Sequence, residues 1–385
     1  MNKQLSILSA ALLAVSMISA GQATAAAFTQ GNVVVYRVGA VGGSLTSSAA
    51  ASVFLDEFTT TGTLVQSIAM PTADNGANQM LTASSTATSE GFLTRSADGK
   101  YLALTGYDAA VGTTGIASTT SAAVNRTVGV VDWLGNVNTS TALNTFTGNN
   151  VRSVASTNGT DLWVSGATGI VKTTLGSTGT SFASLSGSNI RDVAIFDGQL
   201  YNSSGSGTVP KIGTVGTGLP ITGSQTITLL PGFSGSTSPY AFFMADLDAG
   251  VAGLDTLYVA DDGSVALRKF SLVSGNWTSN GTVGTDNDYR GLTGYLTNDG
   301  KVQLFATRKG GSTPTGGGEL VSLLDGSGYN GAFSGTPTLL ATASSSTAFR
   351  GVALAPTAPI PEADTYAFMA LGMGLVGLLA RRRKV

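Results

Sequence analysis

The chain has 385 residues, with 20 basic and 22 acidic side chains, no His and no Cys. Without Cys there are no disulfides, thiol nucleophiles or zinc–thiolate sites, and without His the usual neutral-pH general base is missing. Ser-His-Asp and Cys-His catalysis are thereby excluded, whereas carboxylate chemistry and calcium sites stay open.

The charged fraction is 11%, against about 25% in ordinary soluble domains. Gly, Ser, Thr and Ala fill the difference, and apolar runs of strand length recur throughout, so the body reads as a charge-poor extracellular β-protein and not as a disordered chain. Residues 28–360 hold 15 basic and 20 acidic residues, a net charge of −5. With the cations scattered, no nucleic-acid partner is expected, because phosphate binding needs clustered Lys and Arg.

Residues 1–27 read as a secretory signal for the Sec translocase. Lys3 gives the positive start, Leu5 to Ala20 the apolar core, and Ala23-Thr24-Ala25 a small-residue site for signal peptidase, with Ala23 and Ala25 flanking the middle residue. The apolar run is too short and too rich in Ser and Ala for a good membrane span.

From residue 28 to 355 no sustained helical period appears, but short apolar runs alternate with Gly, Asn, Asp and Ser clusters. Val33-Val34-Val35-Tyr36, Tyr101-Leu102-Ala103-Leu104, Leu162-Trp163-Val164 and Leu257-Tyr258-Val259 are examples. A longer repeat overlies them. Val151-Arg152-Ser153-Val154-Ala155 resembles Ile190-Arg191-Asp192-Val193-Ala194, Tyr289-Arg290-Gly291-Leu292-Thr293 and Phe349-Arg350-Gly351-Val352-Ala353. Glu90-Gly91-Phe92-Leu93 is a weaker copy, and Tyr240–Ala245 is a divergent one without the Arg. Internal copies lead into a turn, at Asp98-Gly99, Asn158-Gly159, Asp197-Gly198 or Asp299-Gly300, and then a second strand.

Repeat starts spaced by about 40 to 60 residues suit four-stranded blades. The last copy has only its first strand, and the first strand of the body, Asn32–Val38, has no copy before it. Joining the two closes a ring. The expected fold is an all-β, six-bladed β-propeller over residues 28–355, with seven blades or a β-helix as alternatives.

Arg152, Arg191, Arg290 and Arg350 then fall at equivalent places beside a central channel. They form a candidate ring for an acidic ligand such as an acidic sugar, or they fix the blades by hydrogen bonds and by pairing with a local Asp such as Asp192. Asp246, Asp248, Asp255, Asp261 and Asp262 are the densest acidic region, and Asp246, Asp248, Asp261 and Asp262 are the candidate calcium ligands. Asp261-Asp262-Gly263 also reads as a hairpin turn. Gly310–Gly318 lacks the Lys of a phosphate loop and reads as a surface loop. No cofactor beyond calcium is implied, and no pair of carboxylates announces a glycosidase, so a non-catalytic binding or structural body is expected over a carboxylate-using enzyme.

The tail, residues 356–385, opens with a stiff linker carrying Pro356, Pro359 and Pro361. Pro361-Glu362 precedes an uncharged, mostly apolar stretch from Thr365 to Ala380, and Arg381-Arg382-Arg383-Lys384 nearly closes the chain. As a helix, residues 365–380 would reach about 24 Å, a short span that Arg and Lys stems can extend by snorkelling. The basic cluster should stay cytoplasmic and leave the body outside the inner membrane.

Pro361-Glu362, the run Leu371-Gly372-Met373-Gly374-Leu375-Val376-Gly377-Leu378-Leu379-Ala380 and the terminal Arg cluster together resemble the PEP-CTERM sorting signal, with Ala363 where the second proline of Pro-Glu-Pro would fall. The resemblance covers about 25 residues. It implies a Gram-negative, exopolysaccharide-making host, processing by exosortase, an inner-membrane-anchored precursor, and a cell-surface or secreted product associated with exopolysaccharide. A plain C-terminal anchor and a Gram-positive sortase signal have the same order of parts, but Leu-Pro-x-Thr-Gly is not matched by Ile360-Pro361-Glu362-Ala363-Asp364.

Overall fold

The computed structural model describes residues 25–359, apart from 46, 179–182, 187–188, 206–210, 234–237, 264–265, 285–287 and 310–317. Ala23, most of the signal segment, the Gly-rich loop up to 317 and the sorting tail, including the apolar stretch 365–380, lie outside the described residues.

The chain is all-β. β1 (Val33–Val38), β2 (Ala50–Phe58) and β3 (Leu64–Ala69) are followed by a short β4 (Thr82–Ser84). Next come β5 (Leu93–Arg95), β6 (Tyr101–Tyr107), β7 (Arg126–Asp132) and β8 (Val137–Leu143). Four four-stranded antiparallel sheets complete the series. They are β9 (Val151–Ser156) to β12 (Ala183–Ser186), with β10 (Asp161–Gly166) and β11 (Gly169–Thr174) between, and β13 (Ile190–Phe196) to β16 (Ile227–Leu229), with β14 (Gln199–Ser204) and β15 (Ile212–Val215) between. Then come β17 (Pro239–Ala245), β18 (Thr256–Asp261), β19 (Ala266–Val273) and β20 (Asn276–Val283), and β21 (Tyr289–Leu296), β22 (Val302–Arg308), β23 (Glu319–Asp325) and β24 (Thr338–Thr342). The last strand, β25 (Ala348–Leu354), pairs with β1. A nine-stranded sheet results, in which β4 links β2 to β6.

The first strands of successive sheets touch in a cycle: β5 lies beside β9, β9 beside β13, β13 beside β17, β17 beside β21, β21 beside β25, and β25 beside β5. Sheets arranged radially around one axis make a β-propeller, and this closed order has no place for a β-helix. The antiparallel β1–β25 pairing ties the two ends of the body together, with Val33 opposite Leu354 and Val38 opposite Ala348.

The core lies between facing sheets. Trp163 and Ile170 meet Val193 and Leu200, while Ile212 and Phe233 meet Phe242, Val259 and Phe270. Tyr258 and Leu267 meet Leu292, Leu304 and Val321. Each such aliphatic side chain contributes about 1.5–3 kcal/mol on burial. The turns follow their local chemistry. At Asn158-Gly159 the Asn158 Oδ1 accepts from the backbone of Thr160 and Asp161 at 2.9 and 3.1 Å. At Asp197-Gly198 both residues take positive φ, 46° and 70°, the geometry of a tight hairpin. Helix is limited, among the described residues, to the 3₁₀ turn Ile116–Ser118, and none is long and apolar enough to cross a membrane.

Candidate functional site

Five inner strands carry the same irregularity. Opposite one step on β10, β9 takes two, from Val151 to Ser153. The same extra residue appears between Ile190 and Val193, Pro239 and Phe242, Tyr289 and Gly291, and Phe349 and Val352. A β-bulge bends the strand and re-aims the extra residue's side chain. Arg152, Arg191, Arg290 and Arg350 sit at these bulges, each two residues before a buried apolar anchor: Val154, Val193, Leu292 or Val352. Tyr240 holds the same register before Phe242, and Gly91 before Leu93. The divergent copy near 240 is therefore a Tyr-for-Arg exchange within one ring.

A bulge takes a backbone N–H and C=O out of the ladder, and buried polar groups need partners. Hydroxyls on the second strands supply them. Ser165 accepts from Ser153 N–H at 3.2 Å and donates to Arg191 C=O at 2.9 Å. Ser203 accepts from Asp192 N–H at 3.1 Å and donates to Tyr240 C=O at 2.6 Å. Thr307 accepts from Gly291 N–H at 2.9 Å and donates to Arg350 C=O. Each hydroxyl joins its own bulge to that of the next sheet.

The guanidinium groups also reach across sheets. Arg152 donates to Asn189 Oδ1 at 2.6 Å and Ile190 C=O at 2.9 Å. Arg191 donates to Ser238 Oγ and C=O, both at 2.9 Å, and to Pro239 C=O at 3.1 Å, and it stacks on the Tyr240 ring at 3.8 Å. Arg350 donates to Ser85 C=O at 3.2 Å. Arg290 differs: it faces Asp262 and Asp288 at 3.4 Å and Tyr240 at 5.3 Å, and its Nη1 is buried without a hydrogen-bond partner among the described residues. Burial, with Arg191 alongside, pushes Arg152 down to about 10. Burial also pushes Arg350 down to about 10, with Glu90 opposing the shift.

Glu90 itself is buried under three donors, Ser84 N–H, Tyr107 O–H and Asn150 Nδ2, at 2.6 to 2.8 Å, and desolvation raises its carboxyl. Sequence reasoning missed Glu90 as a member; its place in the weak repeat copy was the available signal. The space left among Glu90, Tyr240, Arg290 and Arg350 is about 10 Å³, the size of one water. The four Arg side chains are brought together, but closed over.

Toward the C-terminal ends of the inner strands the channel opens into a cavity of about 330 Å³ lined from every inner strand. Leu93, Phe196, Phe243, Leu292 and Ala353 form much of its wall, and Phe196 and Phe243 meet edge to face at 6.1 Å. Asp192 and Arg95 are the charged residues lining it. Asp192 does not pair with Arg191, as expected of a local Asp. It accepts from Ser153 Oγ at 2.6 Å on the neighbouring sheet, and burial raises its carboxyl to about 7. Arg95 donates to Gly99 C=O at 3.0 Å and Thr357 Oγ1 at 3.2 Å, holding the linker after β25 beside this mouth.

The acidic region has other work. Asp255 accepts from Leu247 and Asp248 N–H at 3.0 and 2.7 Å and from Thr256 Oγ1 at 2.7 Å. Asp248 turns back on Gly250 N–H at 2.9 Å. Asp261 accepts from Ser238 and Gly263 N–H, both at 2.8 Å, and pairs with Arg268 at 3.1 Å, while Asp262 faces Arg290. Among the described residues no three acidic side chains, Asp246 included, are grouped to hold a metal.

Residues 359–384 match the PEP-CTERM protein-sorting motif. The chain carries a PEP-CTERM sorting signal. The motif implies an exported, membrane-anchored precursor processed to the cell surface, with exosortase as the processing partner. Comparison with curated protein sequences finds no significant match. Among solved structures, a nidogen/laminin complex chain is similar at 14% identity and TM-score 0.50, covering 84% of this chain and 98% of that one. A Pseudomonas aeruginosa periplasmic gluconolactonase aligns at 13% identity and TM-score 0.40, covering 81% and 82%. The β-propeller domain of Myceliophteria thermophila Cps50 aligns at 11% and 0.39, covering 69% and 90%. At 14% identity and TM-score 0.50 the first of these likenesses concerns the fold of the body alone.

Proposed function

We propose that this PEP-CTERM protein is a non-catalytic, surface-sorted binding module that associates with exopolysaccharide through the open channel mouth. The observation that carries it is the cavity of about 330 Å³ walled by Phe196 and Phe243, within the size range of small-ligand sites. It suits the end of a sugar chain, whose C–H edges pack on aromatic faces. The ring of Arg152, Arg191, Arg290 and Arg350 serves to hold sheets, since its guanidinium groups are buried on backbone carbonyls and local acids. We count six blades by taking the nine-stranded sheet as two, β25-β1-β2-β3 and β5-β6-β7-β8, with β4 as a link.

The non-catalytic reading rests on the lining. Glycoside hydrolysis needs two carboxylates flanking one bond, and among the described residues Asp192 is the one carboxylate lining the mouth. Co-sedimentation of the mature protein with purified exopolysaccharide tests the proposal. The wild type should sediment and Phe243→Ala should stay in solution, with polymer length unchanged. Equal sedimentation of both proteins, or shortening of the polymer, would sink it.

A further inference from the structure

The mouth holds a carboxylate that the fold does not neutralise. Asp192 is 4% exposed, lines the cavity, and among the described residues forms no ion pair. Its neighbours of opposite charge are turned away: Arg152 is engaged by Asn189 and Ile190, and Arg191 by Ser238 and Pro239. Arg95 lines the same cavity but is held by Gly99 and Thr357. Its remaining N–H groups are donors suited to hydroxyl and ring oxygens.

A buried carboxylate with a hydroxyl partner and no cation is stabilised most by a ligand that brings the cation. The aromatic pair in the wall of the same cavity suits the ring of such a ligand, because its faces pack against C–H bonds. The body's net charge of −5 favours approach of cationic polymers over acidic ones.

We propose that the channel mouth binds an amino sugar, its ammonium group on the Asp192 carboxylate and its ring against Phe243. The assignment rests on the mouth being the polysaccharide site and names the sugar class it selects. It reverses the acidic ligand expected from the Arg ring, because that ring is closed over and Arg95, the cation at the mouth, is engaged by Gly99 and Thr357. Binding weakens as acid protonates Asp192, whose carboxyl titrates near 7.

Titration calorimetry of the mature protein at neutral pH, with a disaccharide of two glucosamine units and with its N,N′-diacetylated form, tests the inference. The diamine should bind and the diacetylated sugar should bind at least about tenfold more weakly, the scale of a lost charged hydrogen bond. Asp192→Asn should lose the same factor for the diamine while melting no lower than wild type. Phe243→Leu, which keeps the wall apolar, should weaken both sugars together. Equal affinity for the two sugars, undiminished binding by Asp192→Asn, or no binding of the diamine would overturn the amino-sugar assignment. If the native polysaccharide still co-sediments while the diamine does not bind, that assignment alone falls. If neither binds, the polysaccharide function falls with it.

Discussion

The Ser203 hydroxyl donates to the Tyr240 carbonyl at 2.6 Å while accepting from the Asp192 amide at 3.1 Å. One side chain thus satisfies bulges on two sheets, and Ser165 and Thr307 repeat the arrangement. Ser203→Ala and Thr307→Val each keep packing and leave a buried N–H and C=O without their partner. Each should cost about 1–3 kcal/mol, read as a lower denaturant midpoint with an unchanged slope. A change within about 0.5 kcal/mol, the range of ordinary surface substitutions, would show that the relay does not hold the ring.

Lys269 and Asp325 form an ion pair at 2.8 Å with side chains 0% and 1% exposed. Tyr258 O–H adds a bond to Asp325 at 2.6 Å, and Lys269 donates to Ser327 Oγ and Gly328 C=O at 2.7 and 2.6 Å. Burial alone would raise the Asp325 carboxyl, but the bonds from Lys269, Ser327 and Tyr258 outweigh it and hold it low. Lys269→Met strands a buried anion and should cost about 3–5 kcal/mol. The double variant Lys269→Met/Asp325→Leu should lose less than the sum of the singles, since neither charge then remains. Additive losses in chemical denaturation would contradict coupling between these sheets.

Where local chemistry decides, the sequence was legible. The Asn-Gly and Asp-Gly turns, the Arg-bearing repeat and the pairing of the last strand with the first follow from composition and spacing. The bulges did not, because they depend on a one-residue mismatch with a partner strand. Tyr240–Ala245 is legible as a repeat copy without the Arg, but that Tyr240 takes the place of the Arg in the ring depends on the register to the apolar anchor Phe242 two residues on. Asp192 was assigned to the Arg end, since sequence neighbours on a bulged strand need not face the same way. Phe196 and Phe243 meet across two sheets, and no spacing along the chain encodes that distance. The Asp-rich region looked like a metal site because sequence cannot tell a free carboxylate from one already occupied by backbone amides.

The Asp192 carboxyl gives a pH signature. Its folded value near 7 lies above the unfolded value of about 3.9. Between these limits the native state holds a proton that the unfolded chain has lost, so this group's stabilising contribution is full below about pH 4 and is lost as pH rises to 7. Asp192→Asn keeps the neutral form at every pH. Its stability should equal wild type near pH 4 and exceed it by on the order of 2–4 kcal/mol at pH 8. Burial also raises Glu90, but the difference between the two proteins isolates Asp192. A difference that does not grow with pH would contradict this titration.

The boundary between body and tail can be located by truncation. β25 supplies Phe349 and Val352, 4% and 2% exposed, and the pairing with β1. Beyond it Thr357 is held by Gly99 and Arg95, with its amide on Gly99 C=O at 2.9 Å. A chain ending at Pro359 should therefore melt within about 2 °C of the full-length chain, the size of shift that about 1 kcal/mol causes in a large domain. One ending at Thr347 loses an inner strand and the five buried apolar side chains of Ala348, Phe349, Val352, Ala353 and Ala355, of which the larger ones cost about 2–5 kcal/mol each in a large-to-small change, and should not fold. In the native host, mass spectrometry of the surface product should find a C-terminus between these motif-bearing residues and the body, upstream of Arg381. An intact Val385 on the released protein would contradict processing at the sorting signal, and a folded product ending at Thr347 would contradict ring closure by β25.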